Sequence, residues 1–334
     1  MCYSKKIINK KVKKDIPELI RNVILDLLLY LDKKGFDIKE YITKINKTDF
    51  IVAKENVVQY KYIHRGKNKV TNIPIDKING MYVPIMTYDD VLNSPYILSE
   101  VVIINTLTDN ANITKTIVHE LLHLLSSGKI YKFNGGYYQC SGLMKNYYYL
   151  EKKDYDMPKE DYINEAVTDV LAYKVMEEVY HKQFKVETRN VDGKEIKKFS
   201  RYYLITDMMW IFNYKFNNST DTKVLLDLYL NNKIDDFYNL SYENFNLEKS
   251  LVLKLYQNLY LVLEYIIKFQ SFNEYQSFIL ENVYPMYYIV LKEMCKNMFP
   301  NDVRRFKNNY ELRLDEPILD IMKYDILDFI YSYI

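Results

Sequence analysis

The spacing of hydrophobic positions in the first half of the chain switches between helical and strand periods. Apolar residues recur at helical spacing over residues 16–34, and a glycine follows as a natural end. β-Branched and aromatic residues then dominate Asp49 to Ile75, and a polar, glycine-containing segment at residues 65–69 divides them, which predicts a hairpin. Two further strands are expected at Met81–Met86 and Val101–Leu107.

The second half of the chain is predicted to be mainly helical. Glycine-centred turns indicate hairpins at Lys129–Gly142 and Val186–Phe199, and a helix at about 158–181 separates them. Further helices are expected at about 200–217, 221–231, 247–269, 273–297 and 316–333. These patterns predict an α+β protein with a strand-rich N-terminal lobe over residues 1–128 and a mainly helical C-terminal lobe over 129–334.

One predicted helix combines an apolar half with a polar stripe. At 100° per residue, its apolar side chains fall on one half of the cylinder: Ile113, Ile117, Val118, Leu121, Leu122, Leu124 and Leu125. Its polar side chains fall on the other half: Lys115, Thr116, His119, Glu120, His123, Ser126 and Ser127. The pattern indicates a helix packed on one side whose polar stripe forms the floor of a cleft.

Within this stripe, His119, Glu120 and His123 form a His-Glu-x-x-His pattern. Residues four apart on a helix lie one above the other, so both imidazoles can reach a single metal ion. A catalytic zinc ion takes three protein ligands and a water, and Glu120 is close enough to act on that water without competing as a ligand. The alternative is a helix that carries two surface histidines by chance.

A third metal ligand is expected elsewhere, and its identity distinguishes families. The positions at which one group carries a further histidine hold Ser126 and Lys129 here. In another group the third ligand is a glutamate within Asn-Glu-x-x-Ser/Thr-Asp, and the segment Asn164-Glu165-Ala166-Val167-Thr168-Asp169 matches that pattern. Together the two short motifs resemble the active-site pattern of the gluzincin, or thermolysin-like, zinc metallopeptidases.

The resemblance implies a specific arrangement around one catalytic zinc ion. His119, His123 and Glu165 would be its ligands, and Glu120 would be the general base. Asp169 would bond the ring nitrogen of a ligand histidine that faces away from the zinc, and Asn164 would also support the ligands. The implied fold is bilobal, with a mixed β-sheet in the N-terminal lobe, the His-Glu-x-x-His helix at the cleft floor and a mainly helical C-terminal lobe.

Glu165 and Asp169 also require partners on physical grounds alone. They share one face of their predicted helix with apolar residues, where an unpaired carboxylate is costly. A metal ion and a metal-bound histidine would satisfy both carboxylates. A lysine or arginine on a neighbouring element would do the same.

Peptide hydrolysis also needs a donor that stabilises the developing oxyanion, and gluzincins supply one from the helical lobe. Tyr202 and Tyr203 are the candidates, because many gluzincins place a tyrosine in a comparable Ser/Thr-x-Tyr setting. His181 shares a charged face of its helix with Lys174 and two glutamates. That face is predicted to be solvated, so His181 is assigned no catalytic role.

The expected function is zinc-dependent hydrolysis of a peptide or protein substrate. Internal cleavage is favoured, because the Gly-x-Met-Glu-Asn element of one aminopeptidase group is absent. Two alternatives stay open: a catalytically inactive scaffold that binds a partner, and an exported protease toxin or effector. Glu120 favours an enzyme, because a scaffold that only binds metal has no need of a base.

The composition of the chain limits which partners and which cellular location are expected. Lys and Arg number 46 against 44 Asp and Glu, a formal net charge of +2, so no global field points to nucleic acid. Three scattered cysteines predict neither a disulfide framework nor a cysteine zinc site. Acidic residues interrupt the apolar run after the basic N-terminus, and no apolar run suits a membrane span. A cytoplasmic location is the default expectation, with export that needs no signal peptide as the alternative.

Overall fold

The computed structural model describes residues 3–75, 78–89, 94–107, 112–149, 154–156, 161–182, 188–191, 194–197 and 221–245. This part of the chain mixes helices with several sheets and is therefore an α+β structure. The bilobal, gluzincin-like arrangement stays a prediction.

Three helices precede the first strand: α1 (Lys5–Lys11), α2 (Glu18–Lys33) and α3 (Lys39–Lys47). The predicted helix at 16–34 corresponds to α2. It follows Pro17 and ends before Gly35, whose φ of 92° suits the reversal after a helix. Apolar residues of α2 at helical spacing are buried: Ile20, Val23, Ile24, Leu25, Leu27, Leu28 and Leu31.

The first sheet has three strands in the order β1-β5-β4: β1 (Asp49–Ala53), β4 (Gly80–Asp89) and β5 (Ser94–Asn105). β1 runs parallel to β5, while β4 and β5 form an antiparallel pair. Both predicted strands, at 81–86 and 101–107, lie in this sheet, and each begins earlier than expected. Among the described residues β4 pairs only with β5 and is therefore an edge strand.

A hairpin of β2 (Val57–His64) and β3 (Lys67–Pro74) follows β1 and precedes β4. The sequence predicts this hairpin, but the first five residues of the predicted segment form β1, which pairs with β5 instead. Its turn consists of Arg65 and Gly66, with φ values of 50° and 71°, the conformation that matches strand twist in a two-residue turn. One face of the hairpin contributes to an apolar cluster with the first sheet: Ala53, Val58, Tyr60, Ile73, Ile75, Val101 and Ile103.

The second sheet contains four antiparallel strands in chain order: β6 (Ser127–Phe133), β7 (Gly136–Ser141), β8 (Met144–Tyr149) and β9 (Asp154–Asp156). It contains the predicted hairpin at 129–142. The tyrosine-rich segment that follows forms β8, where Tyr147 packs against other aromatic rings.

The helices and the hairpin that complete the described part are α4 (Ile113–Ser126), α5 (Asp161–Tyr180), β10 (Thr188–Val191) with β11 (Lys194–Lys197), α6 (Lys223–Leu230) and α7 (Ile234–Phe245). The predictions at 158–181, 186–199 and 221–231 correspond to α5, to β10 with β11, and to α6. The helices predicted at 200–217, 247–269, 273–297 and 316–333 lie outside the described residues.

Backbone contacts divide the chain into two units. One comprises Met1–Pro158, Leu171–Gln183 and Leu226–Lys233, and the other comprises Lys159–Val170, Phe184–Leu225 and Ile234–Ile334. The division falls within α5, which is one continuous helix. The boundary between residues 128 and 129 stays a prediction. Of the helices described here, none has the length and apolar character that crossing a membrane requires.

Candidate metal centre

Helix α4, which carries the His-Glu-x-x-His pattern, is enclosed by other elements. It contacts β4, β5, β7, α2 and α3. Most of its apolar half is buried, as predicted, with no exposed area at Ile117, Val118, Leu121, Leu122 or Leu124, while Ile113 in the first turn is partly exposed. Its polar stripe is also largely covered, since Glu120 and His123 are each only 8 % exposed. His123 is therefore not a surface histidine.

The two histidine rings face each other. The Nε2 atoms of His119 and His123 are 3.0 Å apart, and the ring centroids are 4.7 Å apart with the planes at 71°. Two ligands at about 2.05 Å from one tetrahedral ion would be about 3.4 Å apart, so the observed separation is close to that of two nitrogens on a shared zinc ion. The helix thus brings both Nε2 atoms to the same point.

The third predicted ligand lies close to the two histidines. One ligand atom from each of His119, His123 and Glu165 lies within 4.8 Å of the other two. Glu165 is on α5, in the helix that the sequence predicts for it. Two imidazole nitrogens and one carboxylate oxygen are a donor set found in catalytic zinc sites, so the residues present fit a divalent metal ion.

Glu120 lies on α4 next to His119, and strand β4 passes close to its side chain. A Cβ placed on Gly80 would lie 2.7 Å from Thr116 Cγ2, 2.9 Å from Glu120 Cγ and 3.2 Å from Glu120 Oε1. Only a residue without a side chain fits there, so Gly80 permits the approach of the edge strand to Glu120. Sequence reasoning did not identify this residue, although a glycine beside a predicted strand is a signal of close backbone approach.

The other ring nitrogen of His123 has a partner that the sequence did not predict. Tyr229 lies on α6 and has no exposed area, and its Oη is 3.1 Å from His123 Nδ1. Three residues later, the Asn232 side chain donates to the carbonyls of Ser126 at 2.7 Å and Gly142 at 3.1 Å. A tyrosine in the leucine-rich segment of α6 is the one available sequence signal, because a buried phenol usually finds a hydrogen-bond partner.

The supporting residues that the resemblance implies lie on α5. Asn164 and Asp169 are buried, at 0 % and 3 % exposed. Thr168 Oγ1 donates to the carbonyl of Asn164 at 2.6 Å. Contact of Asp169 with a ligand histidine stays a prediction.

A partly buried network of polar side chains holds the C-terminal end of α4 in place. Lys44 Nζ donates to the carbonyl and to the Oγ of Ser127, and it lies 3.5 Å from Glu100 Oε1. The Tyr82 hydroxyl donates to the same Glu100 oxygen at 2.6 Å. Burial lowers the pKa of Lys44, and the Glu100 carboxylate opposes this shift. Burial beside Glu100 raises the pKa of Tyr82 well above its usual value.

The remaining predicted site residues have different outcomes. Tyr202 and Tyr203 lie outside the described residues. His181 is exposed, directly after the end of α5. Lys174, predicted to share its solvated face, is only 6 % exposed, so the prediction is wrong for that residue. The methylene stem of Lys174 is covered while its ammonium group pairs with Glu177 at 2.8 Å.

Compared with known proteins, this chain matches no family model, no curated protein and no solved structure.

Proposed function

We propose that this chain is a zinc-dependent peptidase that cleaves peptide bonds internally. The proposal rests on the proximity of the ligand atoms of His119, His123 and Glu165 to one another. Glu120 is buried on α4, the helix that carries both histidines. Two imidazoles and a carboxylate leave a position for water on a four-coordinate ion, which distinguishes a catalytic donor set from a closed structural one.

Each residue has a distinct task in this proposal. A divalent ion held by His119, His123 and Glu165 would supply Lewis acidity, polarising the scissile carbonyl and lowering the pKa of a water toward neutrality. Glu120 accepts the proton of the attacking water on a carboxylate oxygen and passes it to the nitrogen of the leaving amine. Because Glu120 is largely shielded from solvent, its electrostatic interactions with the bound ion and with the transferred proton are stronger than they would be in water.

A peptide substrate is supported by the edge strand next to the candidate site. Within the described residues, β4 pairs with β5 on one side only, so its other edge has backbone groups that an extended chain can bond. Gly80, the first residue of β4, lies against Glu120. A peptide that added to this edge would pass the proposed general base.

The proposal is tested with the purified full chain and a proteome-derived library of peptides with blocked ends. We expect about one zinc per chain, loss of cleavage on chelation and recovery when zinc is returned. Glu120→Gln should keep the zinc and lower the cleavage rate by about 10²–10⁴-fold, the usual contribution of a general base.

A matched control is Glu177→Gln on the exposed side of α5, which should cleave like the unmodified chain. Stoichiometric zinc with no cleavage of any peptide would contradict the peptidase proposal and would favour a binding scaffold. Full activity of Glu120→Gln would contradict the role of the base.

A further inference from the structure

We infer that Tyr229 is a positioning residue for metal binding, which holds His123 so that its Nε2 faces His119 and Glu165. The inference rests on the metal site of the proposed function, but it does not depend on which bond that site cleaves. Its basis is the contact of 3.1 Å between Tyr229 Oη and His123 Nδ1, made where Tyr229 has no exposed area.

The phenol is held in place at a second point. Asn232, just beyond the end of α6, donates to the carbonyl of Ser126 at the last residue of α4 and to the carbonyl of Gly142. The segment that carries Tyr229 is therefore attached to the same helix end that carries His123. This attachment fixes the distance between the phenol and the imidazole independently of the hydrogen bond between them.

The chemistry of imidazole fixes the direction of the hydrogen bond when a metal is bound. A neutral histidine has one N–H and one lone pair, and the lone pair must be on the nitrogen that binds the ion. His123 Nε2 faces His119 Nε2 at 3.0 Å, so Nε2 is the nitrogen directed to the metal point. The proton then lies on Nδ1 and is donated to Tyr229 Oη. Without this oxygen, the ring loses a buried acceptor and the contact that sets its orientation.

Tyr229 is a different kind of partner from the carboxylate that the resemblance implies for one of the ligand histidines. A carboxylate such as Asp169 adds negative charge behind a ligand histidine, whereas the phenol of Tyr229 orients the ring without adding charge. Tyr229 contacts His123 Nδ1, the ring nitrogen that does not face the metal point, so it does not touch the reacting atoms. It acts by holding the imidazole and is therefore not a catalytic residue.

The test compares zinc affinity in three full-length proteins: the unmodified chain, Tyr229→Phe and Tyr60→Phe. Each substitution removes one hydroxyl and keeps the ring. Tyr60 is also buried, at 4 % exposed, and its hydroxyl donates to Asp49 at 2.6 Å within the cluster around the first sheet. The dissociation constant for zinc is measured by competition with a chelating indicator, and thermal unfolding without metal reports the effect of each change on the fold.

We expect Tyr229→Phe to bind zinc about 10–100-fold more weakly, the usual effect of losing a group that orients a ligand histidine. Tyr60→Phe should leave the zinc affinity unchanged even where it lowers the thermal stability. A second measurement separates positioning from general loosening: ¹⁵N NMR of the histidine rings in the zinc-bound protein should place the His123 proton on Nδ1. Tyr229→Phe should shift that resonance, and Tyr60→Phe should not.

The outcomes distinguish this inference from the proposal on which it rests. Equal zinc affinity and an unchanged ¹⁵N spectrum in Tyr229→Phe would overturn the inference and leave the metal site intact. An equal loss of affinity in both phenylalanine variants would also overturn it, because the effect would then be one of stability. If the unmodified chain bound no zinc, the metal site and the inference would both fail. Zinc binding without peptide cleavage would refute the peptidase proposal alone.

Discussion

Gly80 provides the sharpest test of how the candidate site is built. The change is Gly80→Ala, which adds one methyl group at the start of β4. In the unmodified structure that methyl would lie 2.7 Å from Thr116 Cγ2 and 2.9 Å from Glu120 Cγ. Because carbon atoms in contact are about 3.5–4.0 Å apart, α4 and β4 would have to separate, or Glu120 would have to move, by about 1 Å.

The expected losses of activity and of stability follow from this displacement. A misplacement of about 1 Å in a reacting group can lower the rate about 100-fold, so kcat/KM for a cleaved peptide should fall by about that factor. Overpacking in a well-packed region costs about 1–3 kcal/mol, so the free energy of unfolding should fall by a similar amount. The ligand set itself is unchanged, and the chain should still bind one zinc ion.

The assay measures kcat/KM, zinc content and urea unfolding in Gly80→Ala and in a control. Gly66→Ala is the control, because its added methyl meets nothing within 4 Å while its φ of 71° strains any side chain. The control should therefore lose stability and keep the activity of the folded protein. Unchanged activity and stability in Gly80→Ala would refute the close approach of β4 to Glu120. A drop in activity no larger than that of the control would refute its importance for Glu120.

Two further predictions concern stability and do not depend on the metal. Burial and a hydrogen bond to Asp49 raise the pKa of Tyr60 to about 12, above 10.0 for a free tyrosine. The folded state therefore keeps this proton longer than the unfolded state, and the stability it contributes is complete below pH 10 and lost as the pH rises to about 12. Denaturant titrations over this pH range should show that loss, and it should be smaller in Tyr60→Phe; equal slopes would contradict the shift. In Lys44→Met, the partly buried Glu100 loses its cation but keeps its hydrogen bonds from Tyr82 and Ser127, so the free energy of unfolding should fall by about 1–3 kcal/mol. Most of this loss should be recovered when Glu100→Gln is added. The control is Lys233→Met, which removes an exposed ion pair and should change the free energy of unfolding by less than about 1 kcal/mol. An equal effect of both lysine substitutions would contradict the role of burial.

The parts of the fold that the sequence predicts are those fixed by local chemistry. The turns at Arg65-Gly66 and Asn134-Gly135 contain residues with positive φ, and both are recognisable from composition. The partner of β1 is not local: β1 pairs in parallel with β5, which follows a complete hairpin and another strand. No periodicity in β1 specifies that pairing, because any strand of suitable length and burial presents the same backbone groups.

The candidate site divides in the same way. His119 and His123 meet because helical geometry alone places residues four apart on one face. Glu165 lies on a different helix, 42 residues after His123 (165 − 123 = 42), so helical geometry alone does not place it near the histidines. Its role as the third ligand is predicted from the resemblance of two motifs to a known family. Gly80 and Tyr229 act through what lies against them. Their roles therefore become apparent only when β4 and α6 are placed beside α4.

Several hydrogen bonds hold the C-terminal turn of α4, which carries His123. The first turn of α4 follows Asn112. At the other end, the Lys44 ammonium group bonds the carbonyl of Ser127, where a cation also favours the negative end of the helix dipole. Asn232 bonds the carbonyl of Ser126, and Tyr229 bonds the ring of His123. Since these bonds all lie within four residues of His123, they hold the last turn of α4 in place around that candidate ligand.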